Sequence, residues 1–145
     1  MSAVTILGPV GSSVIELPFF SSRVSAGFPS PAQDHMEQTL SLDELLDIDA
    51  PHTYLVRAEG DSMTGAGILD GDVLVVSRAL TEKSGDVVIA AINGETFVKR
   101  LSIQGREVVL HSENPKYAPR YVLEGDDLVI WGVVTDSIRR HRCHG

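Results

Sequence analysis

Asp86–Leu101 reads DVVIAAINGETFVKRL. Two runs rich in Val, Ile and Phe flank Asn93-Gly94. Branched and aromatic side chains suit a pleated, half-buried surface, and Asn-Gly accommodates the two positive φ angles of a type I′ turn. The segment therefore predicts a hairpin pairing Asp86–Ile92 with Glu95–Leu101. Working outward, Thr53–Ala58, Val73–Ser77, Glu107–Leu110 and Leu128–Val134 have the same composition, with turn residues between them. The expected fold is mostly β.

Residues 33–48 are the convincing helical material. Ser41 and Glu44 stand at capping-box spacing, followed by Leu45 and Leu46. Ahead of them, residues 1–32 hold Gly8, Pro9, Gly11, Pro18, Gly27, Pro29 and Pro31. Proline locks φ and biases the preceding residue towards extended geometry, so Phe28-Pro29-Ser30-Pro31 should be extended. The expected organisation is a flexible N-terminal arm over 1–32 and a β-rich domain over 33–145. No internal repeat is found.

A chain of 145 residues with 43% hydrophobic content is long enough to bury one core. Its 20 acidic and 12 basic side chains leave a formal net charge of -8. That field repels phosphate backbones, so direct nucleic-acid binding is not expected. Cys143 stands alone, which excludes an internal disulfide. No apolar run reaches the roughly 18 residues of a membrane helix. Val24-Ser25-Ala26 resembles the end of a signal peptide, but a basic n-region is missing and Gly8, Pro9, Gly11, Glu16 and Pro18 break the apolar stretch. A soluble cytoplasmic protein is expected.

Two residues carry candidate chemistry. In a strand, Phe97, Lys99 and Leu101 point one way, and Thr96, Val98 and Arg100 the other. With the first set facing the core, Lys99 sits among apolar neighbours while Arg100 takes the solvent. Burial disfavours the ammonium form and lowers its pKa, which makes a lysine a competent base. Taken alone, Lys99 reads sooner as an exposed lysine beside Arg100 on an ordinary hairpin. Ser62 lies in Glu59-Gly60-Asp61-Ser62-Met63, directly after the strand Thr53–Ala58. Gly60 permits a sharp turn that presents a hydroxyl beside backbone amides. Taken alone, Ser62 reads as a turn serine capping backbone groups. Asp61 with His52 or His111 would be the alternative triad. Arg139-Arg140-His141-Arg142-Cys143-His144 reads as a solvated basic terminus, because one Cys and two His are thin for a metal site. No nucleotide-binding phosphate loop is present, and neither metal nor cofactor is expected.

Gly60-Asp61-Ser62-Met63, Asp70-Gly71-Asp72 before an apolar strand, and Phe97-Val98-Lys99-Arg100 together resemble the LexA/UmuD (S24) family of self-cleaving peptidases. The Ser62-to-Lys99 separation is similar to the family's. Pro18-Phe19-Phe20 and Ala26-Gly27-Phe28-Pro29-Ser30-Pro31-Ala32 look like the cleavage arm of its UmuD-like members. The resemblance runs from about residue 17 to residue 134. It implies a compact strand-rich catalytic domain with a short helix, Ser62 as nucleophile, Lys99 as general base, and Ala26–Gly27 as the scissile bond. Small residues at the cut let an extended segment lie deep in a narrow cleft, and tethering makes a weak site sufficient.

Repressors of this family carry a helix-turn-helix domain before the cleavage site, and 26 Pro/Gly-rich residues are too few for one. The segment near 34–48, with Asp34, Glu37, Asp43, Glu44 and Asp47 and no basic residue, has the wrong sign for a major groove. The UmuD-like resemblance implies instead a role in the SOS response to DNA damage. A RecA filament on single-stranded DNA would stimulate the cut, and fragment 27–145 would join a UmuC-like Y-family polymerase subunit for translesion synthesis. A homodimer is also implied. The rival readings are a non-enzymatic β-domain interaction module and a signal-peptidase-like processing enzyme; the latter lacks its membrane anchor.

Overall fold

The computed structural model describes residues 3–9, 11, 15–20, 36–48 and 51–142. In chain order the described strands are β1 (Ala3–Pro9), β2 (Glu16–Phe20), β3 (Met36–Ser41), β4 (Thr53–Glu59), β5 (Val73–Ser77), β6 (Val87–Ile92), β7 (Glu95–Gln104), β8 (Glu107–His111), β9 (Arg120–Tyr121) and β10 (Leu128–Ile138). They fall into two units, residues 1–10 with 49–145, and residues 11–48.

The larger unit is one eight-stranded sheet in the order β1-β4-β5-β10-β6-β7-β8-β9. Every neighbouring pair in it is antiparallel. The predicted hairpin forms in register, with Ile92 opposite Glu95 and Val88 opposite Lys99. Asn93 (φ 51) and Gly94 (φ 86) both take the positive angles that the tight turn demands. Each strand foreseen from composition is present, some extended by a few residues. The largest extension is in β10, which runs on to Ile138.

Side chains from the sheet feed two apolar clusters. Val56, Ala58, Met63, Leu74, Val76, Ile89 and Val98 form one. Val88, Ala90, Ile92, Leu101, Leu110 and Val133 form the other, with Phe97 packed against it. Consecutive residues of β6 and β7 thus enter opposite clusters, because strand side chains alternate faces. This explains why VVIAAI in β6 is apolar throughout rather than alternating. It also corrects the expectation that Val98 shares an outward face with Arg100. Val98 is buried, at 1% exposure.

The smaller unit pairs β2 with β3, placing Glu16 opposite Ser41 and Leu17 opposite Leu40. A one-turn helix, α1 (Leu42–Leu45), follows directly. Ser41 Oγ accepts from the Glu44 N–H at 3.2 Å, and Glu44 Oε1 accepts from the Ser41 N–H at 3.5 Å. The capping box is real, but the expected helix over 33–48 is not. A capping box marks the first turn, so the described residues before Ser41 lie outside the helix. Met36–Ser41 are paired in β3 instead, and Asp47, at φ 51, leaves helical geometry soon after the turn.

A second correction concerns the arm. Residues 3–9, assigned from sequence to the flexible segment 1–32, form β1 on the rim of the large sheet. Val4, Thr5, Ile6 and Leu7 precede the first Gly-Pro pair, and a short branched run suits an edge strand. Packing on Lys99's side of β7 is testable through Leu101, which is 2% exposed. Leu101→Ala is expected to cost about 2–5 kcal/mol, read as a lower urea midpoint with an unchanged slope.

Candidate active site

Lys99 lies mid-strand in β7 and is 7% exposed. Its pKa is pushed below the ordinary 10.5 by burial. Nζ donates a hydrogen bond of 2.6 Å to Ser112 Oγ. It also lies 5.9 Å from the Phe97 ring centre and 5.8 Å from that of Tyr117. Ring faces return only about 0.5–2 kcal/mol to a cation, less than the water it has lost, so the neutral amine gains. Lys99, Ser112, Phe97, Leu110 and Tyr117 help line a cavity of about 380 Å³.

Ser62 is fully buried, and among the described residues its Oγ has no hydrogen-bond partner. Buried hydroxyls are nearly always paired, so an idle one marks a site kept for another use. The residue sits where β4 ends and the chain turns through Gly60, at φ 89. The loop is closed by backbone bonds: Ala58 N–H to Asp72 C=O and Gly71 N–H to Ala58 C=O, each 2.8 Å. Asp70 Oδ1 accepts from the Gly60 N–H at 2.8 Å. Asp70-Gly71-Asp72 therefore cradles the turn that carries Ser62.

The two predicted residues are not hydrogen-bonded to each other in this arrangement; Lys99 reaches Ser112. A single segment, residues 112–117, nonetheless grips Lys99 and the residues on either side of Ser62. Ser112 receives Lys99. Asn114 Nδ2 donates to Asp61 C=O at 2.8 Å, and Lys116 pairs with the Asp61 carboxylate at 3.2 Å. Tyr117 Oη donates to the same carboxylate. Gly65 N–H donates to Glu113 C=O at 2.7 Å. A Cβ on Gly65 would come within 2.6 Å of that oxygen, so the backbones meet only because this residue is glycine. Sequence reading missed the whole segment. Its signal was a polar and aromatic loop with neither periodicity nor motif.

Asp61 is held below the usual carboxylate range, first by the Tyr117 hydroxyl and then by Lys116. Tyr117 is raised in turn by Asp61. This carboxylate is engaged by a phenol and an amine rather than by His52 or His111, which removes the basis for a triad. Arg139 also departs from expectation. Although still exposed, it grips the buried Asp72 through two bonds of 2.7 Å and reaches Gly67 C=O at 2.9 Å. The end of β10 thereby braces the Ser62 loop. Arg100, expected in solvent, is half-exposed, pairs with Glu113 and donates to Gly85 C=O at 2.6 Å. Ala26 and Gly27 lie outside the described residues.

Residues 18–135 match the Peptidase S24-like family model. This chain belongs to that family. The chain is 43% identical over 132 residues to Protein MucA of Salmonella typhimurium, covering 90% of this chain and 89% of MucA. It is 42% identical over 135 residues to Protein ImpA of Salmonella typhimurium, covering 92% and 91% of the two chains. The LexA repressor of Anaeromyxobacter dehalogenans (strain 2CP-1) is 39% identical over 139 residues, covering 93% of this chain but 60% of the repressor. The S24 chain is thus a UmuD-like, self-cleaving serine peptidase rather than a non-catalytic β module. Among its described residues no helix is long and apolar enough to cross a membrane, and no three metal-ligating side chains converge.

Burial of Lys99 has a measurable sign. Between its lowered folded pKa and 10.5 the unfolded chain binds more protons, so stability rises with pH across that window. Below the window the cost of enclosing a cation is borne in full. Lys99→Met should be more stable than the parent at pH about 7 and lose that advantage near pH about 10, in paired urea titrations. Gly65→Ala should keep the fold but slow self-cleavage at least about tenfold, by the steepness with which misplacement lowers rates.

Proposed function

We propose that the chain cuts itself between Ala26 and Gly27, with Ser62 as nucleophile and Lys99 as general base. The observation that carries this reading is an enclosed lysine amine tied, through residues 112–117, to the loop bearing an idle buried serine hydroxyl. In the reaction, neutral Nζ takes the Ser62 proton as Oγ attacks the Ala26 carbonyl carbon. The resulting ammonium returns a proton to the Gly27 nitrogen as the peptide bond breaks. Water, deprotonated by Lys99, then hydrolyses the Ser62 ester and leaves a carboxylate on Ala26.

Productive chemistry requires the amine to turn from Ser112 to Ser62. Lysine's stem has the rotational freedom that such a turn would use. Ser112 acts as a parking acceptor that keeps the amine inside the cavity, so the site waits for its substrate arm. A contact that favoured the turned state would raise the rate by shifting that population. We assign this stimulus to a RecA filament on single-stranded DNA, in the cytoplasm, during the SOS response. The product, 27–145, then serves as a homodimeric accessory subunit of a UmuC-like Y-family polymerase.

The Lys99–Ser112 contact favours one second reading, with Ser112 as nucleophile. The two separate by mutation. At pH about 9–10, where a lysine amine with a lowered pKa gives up its proton, the parent should yield a fragment with Gly27 at its N-terminus, identified by mass and end-group sequencing. Ser62→Ala and Lys99→Ala should abolish the cut. Ser112→Ala should speed it by about tenfold and shift its pH profile, because the amine loses the acceptor that holds it away from Ser62. Loss of cleavage in Ser112→Ala with activity kept in Ser62→Ala would reverse the assignment. Intact parent under these conditions, with or without the filament, would refute the proposal.

A further inference from the structure

Strand β1 lies at one rim of the large sheet; among the described residues it is hydrogen-bonded to β4, and it also packs near β7. Its register runs from Ala3 opposite Glu59 to Pro9 opposite Tyr54, with a bulge between Ile6 and Gly8. Val4 and Ile6, two residues apart, share one face. Val4 packs against the cluster containing Val56, Ala58 and Met63. Ile6 lines a separate cavity of about 240 Å³ with Tyr54, Val56, Val76, Ile89 and Trp131. Arg78 closes over the Tyr54 ring at 5.5 Å. Thr5 Oγ1 donates to Glu59 Oε1 at 3.2 Å, at the end of β4 that leads into Ser62.

Resting on the cleavage proposed above, the chain ahead of Gly27 departs, and β1 departs with it. We infer that β1 is a built-in occupant of a strand-accepting site, and that self-cleavage vacates this site for an extended apolar segment of a partner protein. Seven residues on an edge hold mainly because the chain tethers them. A tether supplies an effective concentration on the order of millimolar, and a lone strand pairing is marginal without it. At micromolar protein the freed strand leaves. Left behind are the unpaired backbone groups of β4 beside the apolar cluster that Val4 had covered and the cavity that Ile6 had flanked. Such an edge binds an incoming strand through main-chain bonds, with side-chain pockets supplying selectivity. The resident strand defines the guest. It runs antiparallel to β4 and carries branched aliphatic residues at alternate positions, the second at the cavity lined by Tyr54 and Trp131.

The test compares full-length Ser62→Ala, which stays intact, with parent protein cut to completion. The probe is a fluorescent synthetic peptide of the Ala3–Pro9 sequence. The cut protein should bind it saturably, at least about tenfold more tightly than intact Ser62→Ala, and substitution of the Ile6 position by Asp in the peptide should abolish binding. Amide exchange in β4 should accelerate at least about tenfold on cutting while β5 and β6 stay protected. A third protein, Ser62→Ala carrying Val4→Asp and Ile6→Asp, should undock β1 without any cut and bind the same peptide. If the parent never cuts, the cleavage reading fails while this third protein still tests the edge. Equal β4 protection in all three, or no peptide binding by either opened form, overturns the inference. Concentration-dependent self-association that keeps β4 protected would give the edge to a second copy, and would overturn the partner assignment too.

Discussion

A primary amine held out of water is the constraint around which the large sheet is arranged. An ammonium group enclosed at Lys99 would forfeit its hydration, and one hydroxyl with two aromatic faces cannot replace it. The hairpin register puts Val88 opposite Lys99. Phe97 and Leu101 occupy the same face of β7, and Leu110 joins them from the neighbouring strand. The pairing of β7 with both β6 and β8 is therefore what keeps that amine dry. A lysine on an edge strand would be solvated and inert as a base at neutral pH.

Dryness makes a base, but position makes it useful. The serine loop is held from two directions. Arg139, at the end of β10, secures Asp72 and Gly67. Residues 113–117 secure Asp61 and Gly65 from the other side. The Asp61 carboxylate, next to Ser62, serves this bracing role, and its low pKa keeps it charged and engaged across the physiological range. The same loop begins where β4 ends, so the rim occupied by β1 and the nucleophile turn are consecutive pieces of one strand. Chemistry at Ser62 and exposure of the β4 edge are thereby properties of adjoining segments.

The hairpin, the strand positions and the capping box were legible from the chain because each depends on neighbours within a few residues. Asn-Gly dictates its own turn, branched residues prefer pleated backbone, and Ser41 and Glu44 satisfy one another locally. The helix over 33–48 was misread for a related reason. A local cap says where a helix begins, whereas only pairing with β2 decides that the residues before it are a strand. Gly and Pro in 1–32 likewise suggested an arm, but Ala3–Pro9 found an edge some fifty residues away in sequence.

By itself, the sequence determined the β class, the alternation that sends Lys99 towards apolar neighbours, and the motif order that marks an S24 peptidase. Tertiary structure alone decided which side chains meet: that Lys99 rests on Ser112, that Asp61 belongs to Tyr117 and Lys116, and that Arg139 binds Asp72. These contacts join residues from 13 to 67 positions apart. Their existence depends on how distant strands stack in one sheet, and no local propensity encodes that distance.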